Sequence, residues 1–220
     1  MKCDKEMMRL YAVTDRAWVG RQSLHQQVES ALKGGVTCVQ LREKDLPQEE
    51  FLSEALEISA LCRHYCIPFL INDNVDIAIA CHADGIHVGQ GDLEAGQVRR
   101  RVGPGMIIGV SVHSLEEARK AVAAGADYLG VGAMFATATK RDASVLSMET
   151  LRDICAGVDV PVVAIGGIGK DNLMELSGTG VDGVALVSAI FGAADIQQEC
   201  RQLRRLSEEM VKHENEMCDL

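Results

Sequence analysis

Short runs rich in Val, Ile and Leu recur along this chain, with helical periodicity between most of them, and that alternation restricts the fold more than any other feature. The runs span 10–14, 38–42, 69–72, 85–88, 107–111, 128–132, 162–165 and 184–188, each about the length of a buried strand. Between the second and third, Phe51, Ala55, Ile58 and Cys62 follow i, i+4, i+7, i+11, while Glu49, Glu50, Glu54 and Glu57 take the other side. Ser114 before Leu115-Glu116-Glu117 predicts a capping box with a carboxylate at the third helical position. Pro47 before Gln48-Glu49-Glu50 predicts another helix start, its acidic side chains facing the positive end of the dipole.

A weak repeat points the same way. Ala123-Ala124-Gly125-Ala126-Asp127, Thr179-Gly180-Val181-Asp182 and Lys33-Gly34-Gly35-Val36 each lead into a strand, and His82-Ala83-Asp84 does so without the glycine. A left-handed glycine is expected to end each helix before the chain turns into the sheet. Eight βα units in order predict an α/β fold, a single (β/α)8 TIM barrel over residues 1–220, with an open doubly wound sheet as the alternative. The mostly polar tail 212–220 is expected to fray. Because aromatic residues make up only 4% of the chain, the core has to come from Val, Ile, Leu, Ala and Met.

A formal net charge of −10 without a long basic run argues against a nucleic-acid partner. It leaves room for a small anion, because a few cations or a bound metal can reverse the field inside a cleft. The cysteines lack the clustering of a zinc site: Cys62 and Cys66 are one helical turn apart, with neither a CxxC nor grouped histidines. Free buried thiols imply a reducing compartment. Residues 1–9 are charged and carry no signal-peptide core, and no apolar stretch approaches the roughly 20 residues that span a membrane. A cytoplasmic protein is expected.

In a barrel of this kind, reactive groups gather at the C-terminal ends of the strands. The second run ends in Gln40-Leu41-Arg42-Glu43-Lys44, where alternation puts Gln40, Arg42 and, one step further, Lys44 on one side. A solvated surface run is the alternative for the two cations. The third ends in Asn72-Asp73 and the fourth continues to Asp92, so these two carboxylates can meet at neighbouring strand ends. They could share Mg²⁺, act as a general acid/base pair, or cap loops. Thr137-Ala138-Thr139-Lys140 after the sixth run suits a phosphate, as do the glycines of Gly166-Gly167-Ile168-Gly169 after the seventh. Simple chain reversal is the alternative for the paired glycines.

Taken in order, Leu10-Tyr11-Ala12-Val13-Thr14-Asp15, Gln40 to Lys44, Asn72-Asp73, His87-Val88-Gly89-Gln90 with Asp92, Gly109-Val110-Ser111, Thr137 to Lys140, Gly166-Gly167-Ile168 and Val187-Ser188 resemble the thiamine-phosphate synthase family. The resemblance implies a transferase of thiamine biosynthesis that condenses a hydroxymethylpyrimidine diphosphate with a thiazole phosphate and releases diphosphate. It implies that Gln40, Arg42, Lys44, Asn72 and Lys140 bind the pyrimidine diphosphate, that Ser111 sits beside the pyrimidine, and that Asp73 and Asp92 hold Mg²⁺. Thr137, Thr139, Gly167, Val187 and Ser188 would hold the thiazole phosphate. Arg42, Lys44, Ser111 and Lys140 would be the catalytic set. One departure is visible, Ala136 where the family usually has Pro.

Two rivals share the barrel. A thiazole tautomerase would bind the thiazole phosphate and use His113 for proton transfer, although it would need neither paired aspartates nor Lys44 and Lys140. A noncatalytic phosphate-binding barrel would release no diphosphate. The expected partners are small phosphorylated molecules, with no nucleic acid and no membrane, and the reading leaves room for a homo-oligomer.

Overall fold

The β-rich runs pair in chain order and all in parallel, Tyr11 beside Cys38, Gln40 beside Leu70 and Asn72 beside His87, until Tyr11 meets Ala185 and the sheet closes. This computed structural model describes residues 3–20, 22–137 and 144–218, with side chains through residue 212. The strands are β1 Leu10–Val13, β2 Cys38–Leu41, β3 Phe69–Asn72, β4 Gly85–Val88, β5 Ile107–Val112, β6 Tyr128–Val131, β7 Val162–Ile165 and β8 Gly183–Leu186. They form a closed barrel in the order 1 to 8, so the open-sheet alternative falls. The helices are α1 Leu24–Gly34, α2 Gln48–His64, α3 Val75–Ala80, α4 Ala95–Val102, α5 Leu115–Ala123, α6 Met148–Ala156, α7 Ser188–Phe191 and α8 Ile196–Cys218. Between β7 and β8 the crossover is a 3₁₀ turn, Leu173–Leu176, in place of an α-helix.

Strand alternation divides the apolar residues into two cores. Leu10, Ala12, Val39, Leu41 and Ile71 face the helices and merge with their buried sides. Tyr11, Val13, Cys38, Leu70, Ile107, Tyr128, Val163 and Ala185 face the barrel axis, where Cys3, Met7 and Met8 join them. The outer core matches the expected aliphatic composition. The inner one does not, because two of the chain's three tyrosines lie on the axis.

The repeat before alternate strands has a physical use that is not confined to glycine. Gly35, Gly125 and Gly180 are left-handed at φ 95°, 97° and 90°, and His82 takes the same role at 53°. Each is followed closely by a clasp on the preceding strand. Thr37 Oγ1 accepts the N–H of Leu10 at 2.8 Å, and Asp84, Asp127 and Asp182 carboxylates accept those of Phe69, Ile108 and Val162 at 2.8–2.9 Å. The backbone N–H of each clasp residue returns to the carbonyl of that same partner. Four βαβ pairs are thus tied at the end of the barrel where the strands begin.

Helix starts differ in detail from expectation. Ser114 accepts the N–H of Glu117, but the Glu117 carboxylate takes the N–H of His113 instead of that of Ser114, so the box is half formed. Ser23 and Gln26 complete one at α1. Pro47 stands just outside α2, and its carbonyl accepts the first helical bond from Phe51 at 2.9 Å. At the other strand ends, Thr14 Oγ1 accepts from the N–H of Arg42 at 2.9 Å, so a side chain replaces the ladder where β1 and β2 stop short of the expected 14 and 42.

Candidate active site

A cavity of about 470 Å³ opens where the strands end. Gln40, Arg42, Lys44, Asn72, Asp73, Asp92, Ser111, Thr137, Gly167, Val187 and Ser188 all line it. Thr139 and Lys140 lie outside the described residues. Residues from β2 to β8 therefore converge on one space, as parallel strands of a barrel must when their C-terminal ends share a rim.

The β2 end is sorted by alternation. Gln40, Arg42 and Lys44 line the cavity, Lys44 from its exposed edge. Glu43 turns the other way and is buried, gripped by Arg16 at 3.0 Å, and Arg16 also reaches Glu54 at 2.8 Å. Burial pushes the Glu54 carboxyl up against the pull of Arg16. Arg42 is steadied at 3.3 Å by Asp15, which also accepts the N–H of Ala17. Asp15 was only part of a matching segment in the sequence; its role comes from bringing the β1 and β2 ends side by side.

The acidic wall stands next to this. Asn72 Nδ2 donates to Asp73 Oδ1 at 2.7 Å, and Lys44 is ion-paired to the other oxygen. Asp73 sits at φ 61°, a left-handed turn that swings its carboxylate to the mouth. Desolvation raises its pKa, Lys44 opposes that, and the neighbouring Asp92 carboxylate adds to the rise. Asp92 does cap a turn, taking the N–H of Gly89 at 2.7 Å, yet it also lies beside Asp73 at the cavity wall. A carboxylate whose proton affinity is raised by a second carboxylate beside it favours a cation between the two. Among the described residues no group of three or more His, Cys, Asp and Glu could hold a metal alone. A hard ion that takes one or two carboxylates and completes its shell with water and substrate phosphate fits this donor set.

The opposite rim is made of backbone. Met134 and Phe135 donate to the carbonyls of Ile165 and Gly166 at 3.0 Å, clamping the chain after β6 to the end of β7. Asn172 closes the following turn, donating to the Gly167 carbonyl at 2.9 Å and accepting the Gly169 N–H at 2.8 Å. Gly167, at φ 67°, has no space for a side chain: a Cβ would lie 2.5 Å from the Ala136 carbonyl oxygen. The paired glycines thus do more than reverse the chain.

His113 lines the cavity too, but its ring is tied to Glu117 at 3.2 Å beside the α5 cap. Tyr11 and His87 also line it; both face inward from mid-strand positions, and a polar ring at an inward position was the available signal.

Comparison with known proteins agrees with this geometry. The family model described as thiamine monophosphate synthase matches residues 10–190. The chain belongs to this family. Among curated members it is similar to the thiamine-phosphate synthase of Clostridium tetani, 47% identical over 194 residues, covering 88% of this chain and 93% of that one. It is likewise similar to that of Caldanaerobacter subterraneus, 45% identical over 92% of this chain and 97% of the relative. The solved thiamine phosphate pyrophosphorylase of Pyrococcus furiosus superposes with a TM-score of 0.87 at 42% identity, covering 94% of this chain and 98% of that one. Family membership extends across every segment that lines the cavity.

Proposed function

We propose that this barrel joins 4-amino-5-hydroxymethyl-2-methylpyrimidine diphosphate to hydroxyethylthiazole phosphate, releasing diphosphate and thiamine phosphate. The observation that carries the reading is that Arg42, Lys44, Asp73 and Asp92 share one cavity with Thr137, Gly167 and Ser188. One wall offers cations beside paired carboxylates and the other offers hydroxyls and glycine backbone, which suits two different phosphorylated ends.

The thiazole nitrogen attacks with a free lone pair and has no proton to lose, so no general base is required. The bond from the pyrimidine methylene to diphosphate oxygen breaks first, its electrons leaving with the diphosphate, and the new carbon–nitrogen bond follows. The protein's task is to stabilise charge growing on the leaving group. Arg42 and Lys44, held in the cavity by Asp15 and Asp73, are assigned to it, and Lys140 is assigned the same duty. A charge pair at about 4 Å is worth on the order of 4 kcal/mol at an effective dielectric near 20, so each cation counts. Mg²⁺ held by Asp73 and Asp92 would supply Lewis-acid neutralisation of the diphosphate. Asn72 orients Asp73, Gln40 and Ser111 contact the pyrimidine, and Thr137, Thr139, Gly167, Val187 and Ser188 receive the thiazole phosphate. A tautomerase would need neither the paired carboxylates of Asp73 and Asp92 nor the Lys44 cation in the same cavity.

The deciding experiment mixes both substrates with purified protein, with and without Mg²⁺, and follows thiamine phosphate and diphosphate. Both products are expected only with the metal. Product in its absence removes the metal's role, and no product under either condition overturns the reading.

A further inference from the structure

Five side chains form an unbroken hydrogen-bonded file inside the barrel. Gln40 Nε2 meets Tyr11 Oη at 2.6 Å, Tyr11 Oη meets Tyr128 Oη at 2.8 Å, Tyr128 Oη meets His87 Nδ1 at 2.8 Å, and His87 Nε2 meets Ser111 Oγ at 2.9 Å. The fold makes room for it. His87, Gly109 and Tyr128 sit side by side in the strand register, and the two rings close over the glycine with centroids 5.5 Å apart. A Cβ on Gly109 would lie 2.1 Å from the Tyr128 ring, and one on Gly130 would lie 3.1 Å from His87 Cε1.

Such a file has a direction. Tyr11 and Tyr128 are 1% and 0% exposed, and burial pushes both phenols well above their ordinary range, so each keeps its single proton. A phenol that accepts from one neighbour has its proton left for the next. With the Gln40 amide donating, Tyr11 donates to Tyr128 and Tyr128 to His87 Nδ1. The imidazole proton is then on Nε2, directed at Ser111 Oγ, and the serine's own proton points away from the file. The Cys38 thiol also lies against Tyr11, but sulfur is the weaker acceptor.

We propose that Tyr11, Tyr128 and His87 are positioning residues whose one-way hydrogen-bond file holds Ser111 as a proton donor toward the cavity and leaves the Gln40 carbonyl as an acceptor. These two ends match a heteroaromatic edge that carries an amino group beside a ring nitrogen. The ligand part of this inference rests on the function proposed above, in which the pyrimidine lies against Gln40 and Ser111. As positive charge spreads to the amino group during departure of the diphosphate, an acceptor there gains strength.

The test is ¹⁵N NMR of His87 in the ligand-free protein, with steady-state kinetics. Wild type is expected to show the Nε2–H tautomer. Gln40→Glu puts an acceptor where a donor stood and is expected to reverse the file, moving the proton to Nδ1. Tyr11→Phe cuts the file, and there a mixture of tautomers is expected, with kcat down about 10-fold and KM for the diphosphate substrate changed less than about threefold. Tyr128→Phe reads the same break if Tyr11→Phe does not fold. An Nδ1–H tautomer in wild type, or one unmoved by Gln40→Glu, overturns the file's direction. An expected tautomer series with an unchanged kcat in Tyr11→Phe overturns the positioning role. Should wild type form no thiamine phosphate, the proposed function fails while the tautomer series still decides the direction.

Discussion

Lys44 is ion-paired to the very carboxylate, Asp73, that has Asp92 beside it. On the proposed function, a divalent ion held between the aspartates would compete with Lys44 for Asp73 and would free the ammonium for the diphosphate. Removing the carboxylate should therefore act on metal dependence first. Asp73→Asn is expected to raise the Mg²⁺ concentration for half-maximal rate about 10-fold or more and to lower turnover about 10²-fold. Lys44→Met should leave the Mg²⁺ requirement unchanged or lower while raising KM for the diphosphate substrate. Initial rates over a Mg²⁺ titration check both, and an unaltered titration in Asp73→Asn would rule the aspartate out as a ligand.

Gly167 couples the two halves of the backbone rim. Its left-handed φ of 67° and the 2.5 Å approach of a Cβ to the Ala136 oxygen mean that any side chain pushes on the segment carrying Thr137. Gly167→Ala is expected to cost roughly 2–4 kcal/mol of stability, strain and overpacking together. KM for the thiazole phosphate should rise about 10-fold, with that for the pyrimidine diphosphate little changed. Separate titrations of the two substrates distinguish this from general damage, which would weaken both.

The clasps at the far end of the barrel should affect stability without touching chemistry. Asp84→Ala or Thr37→Val strands a backbone N–H at the start of β3 or β1, a loss of about 1–3 kcal/mol. Asp127→Ala should cost more, because Arg99 then loses its 2.6 Å partner. Urea midpoints should fall in that order while kcat stays within about twofold of wild type. A matching fall in kcat would show that the two ends of the barrel are coupled.

These clasps also show what a linear reading reaches. The strands and the rim were legible because both depend on local pattern: inward and outward alternation separates Arg42 from Glu43, and placement at strand ends brings Asp73 to Asp92. The repeat was visible as Gly-x-Asp, but Thr37 hides in it because a hydroxyl does there what a carboxylate does elsewhere. The file from Gln40 to Ser111 was out of reach for another reason. Its Tyr11–Tyr128 bond joins residues 117 positions apart, and nothing local in either distinguishes a hydrogen-bonded axis from ordinary aromatic core. Capping failed at closer range, where the His113 N–H competes with Ser114 for one carboxylate.

Buried thiols make the fold sensitive to alkali. Desolvation pushes Cys3, Cys62 and Cys200 up to about 12 from an ordinary 9.0. Their folded-state values exceed the unfolded ones, so their contribution is fully present below about pH 9 and is lost as pH rises toward 12. In that window the unfolded chain has given up protons that the folded chain keeps, and each thiol tilts stability downward by up to about 1.4 kcal/mol per pH unit. Tyr11 and Tyr128, also raised by burial, add to the same slope at higher pH. Urea midpoints should therefore drop steeply between pH 9 and 11. Cys62→Ala, though less stable at pH 7 for its lost packing, should fall less steeply over that range. Parallel slopes in the variant and wild type would show that this thiol does not stay protonated in the folded barrel.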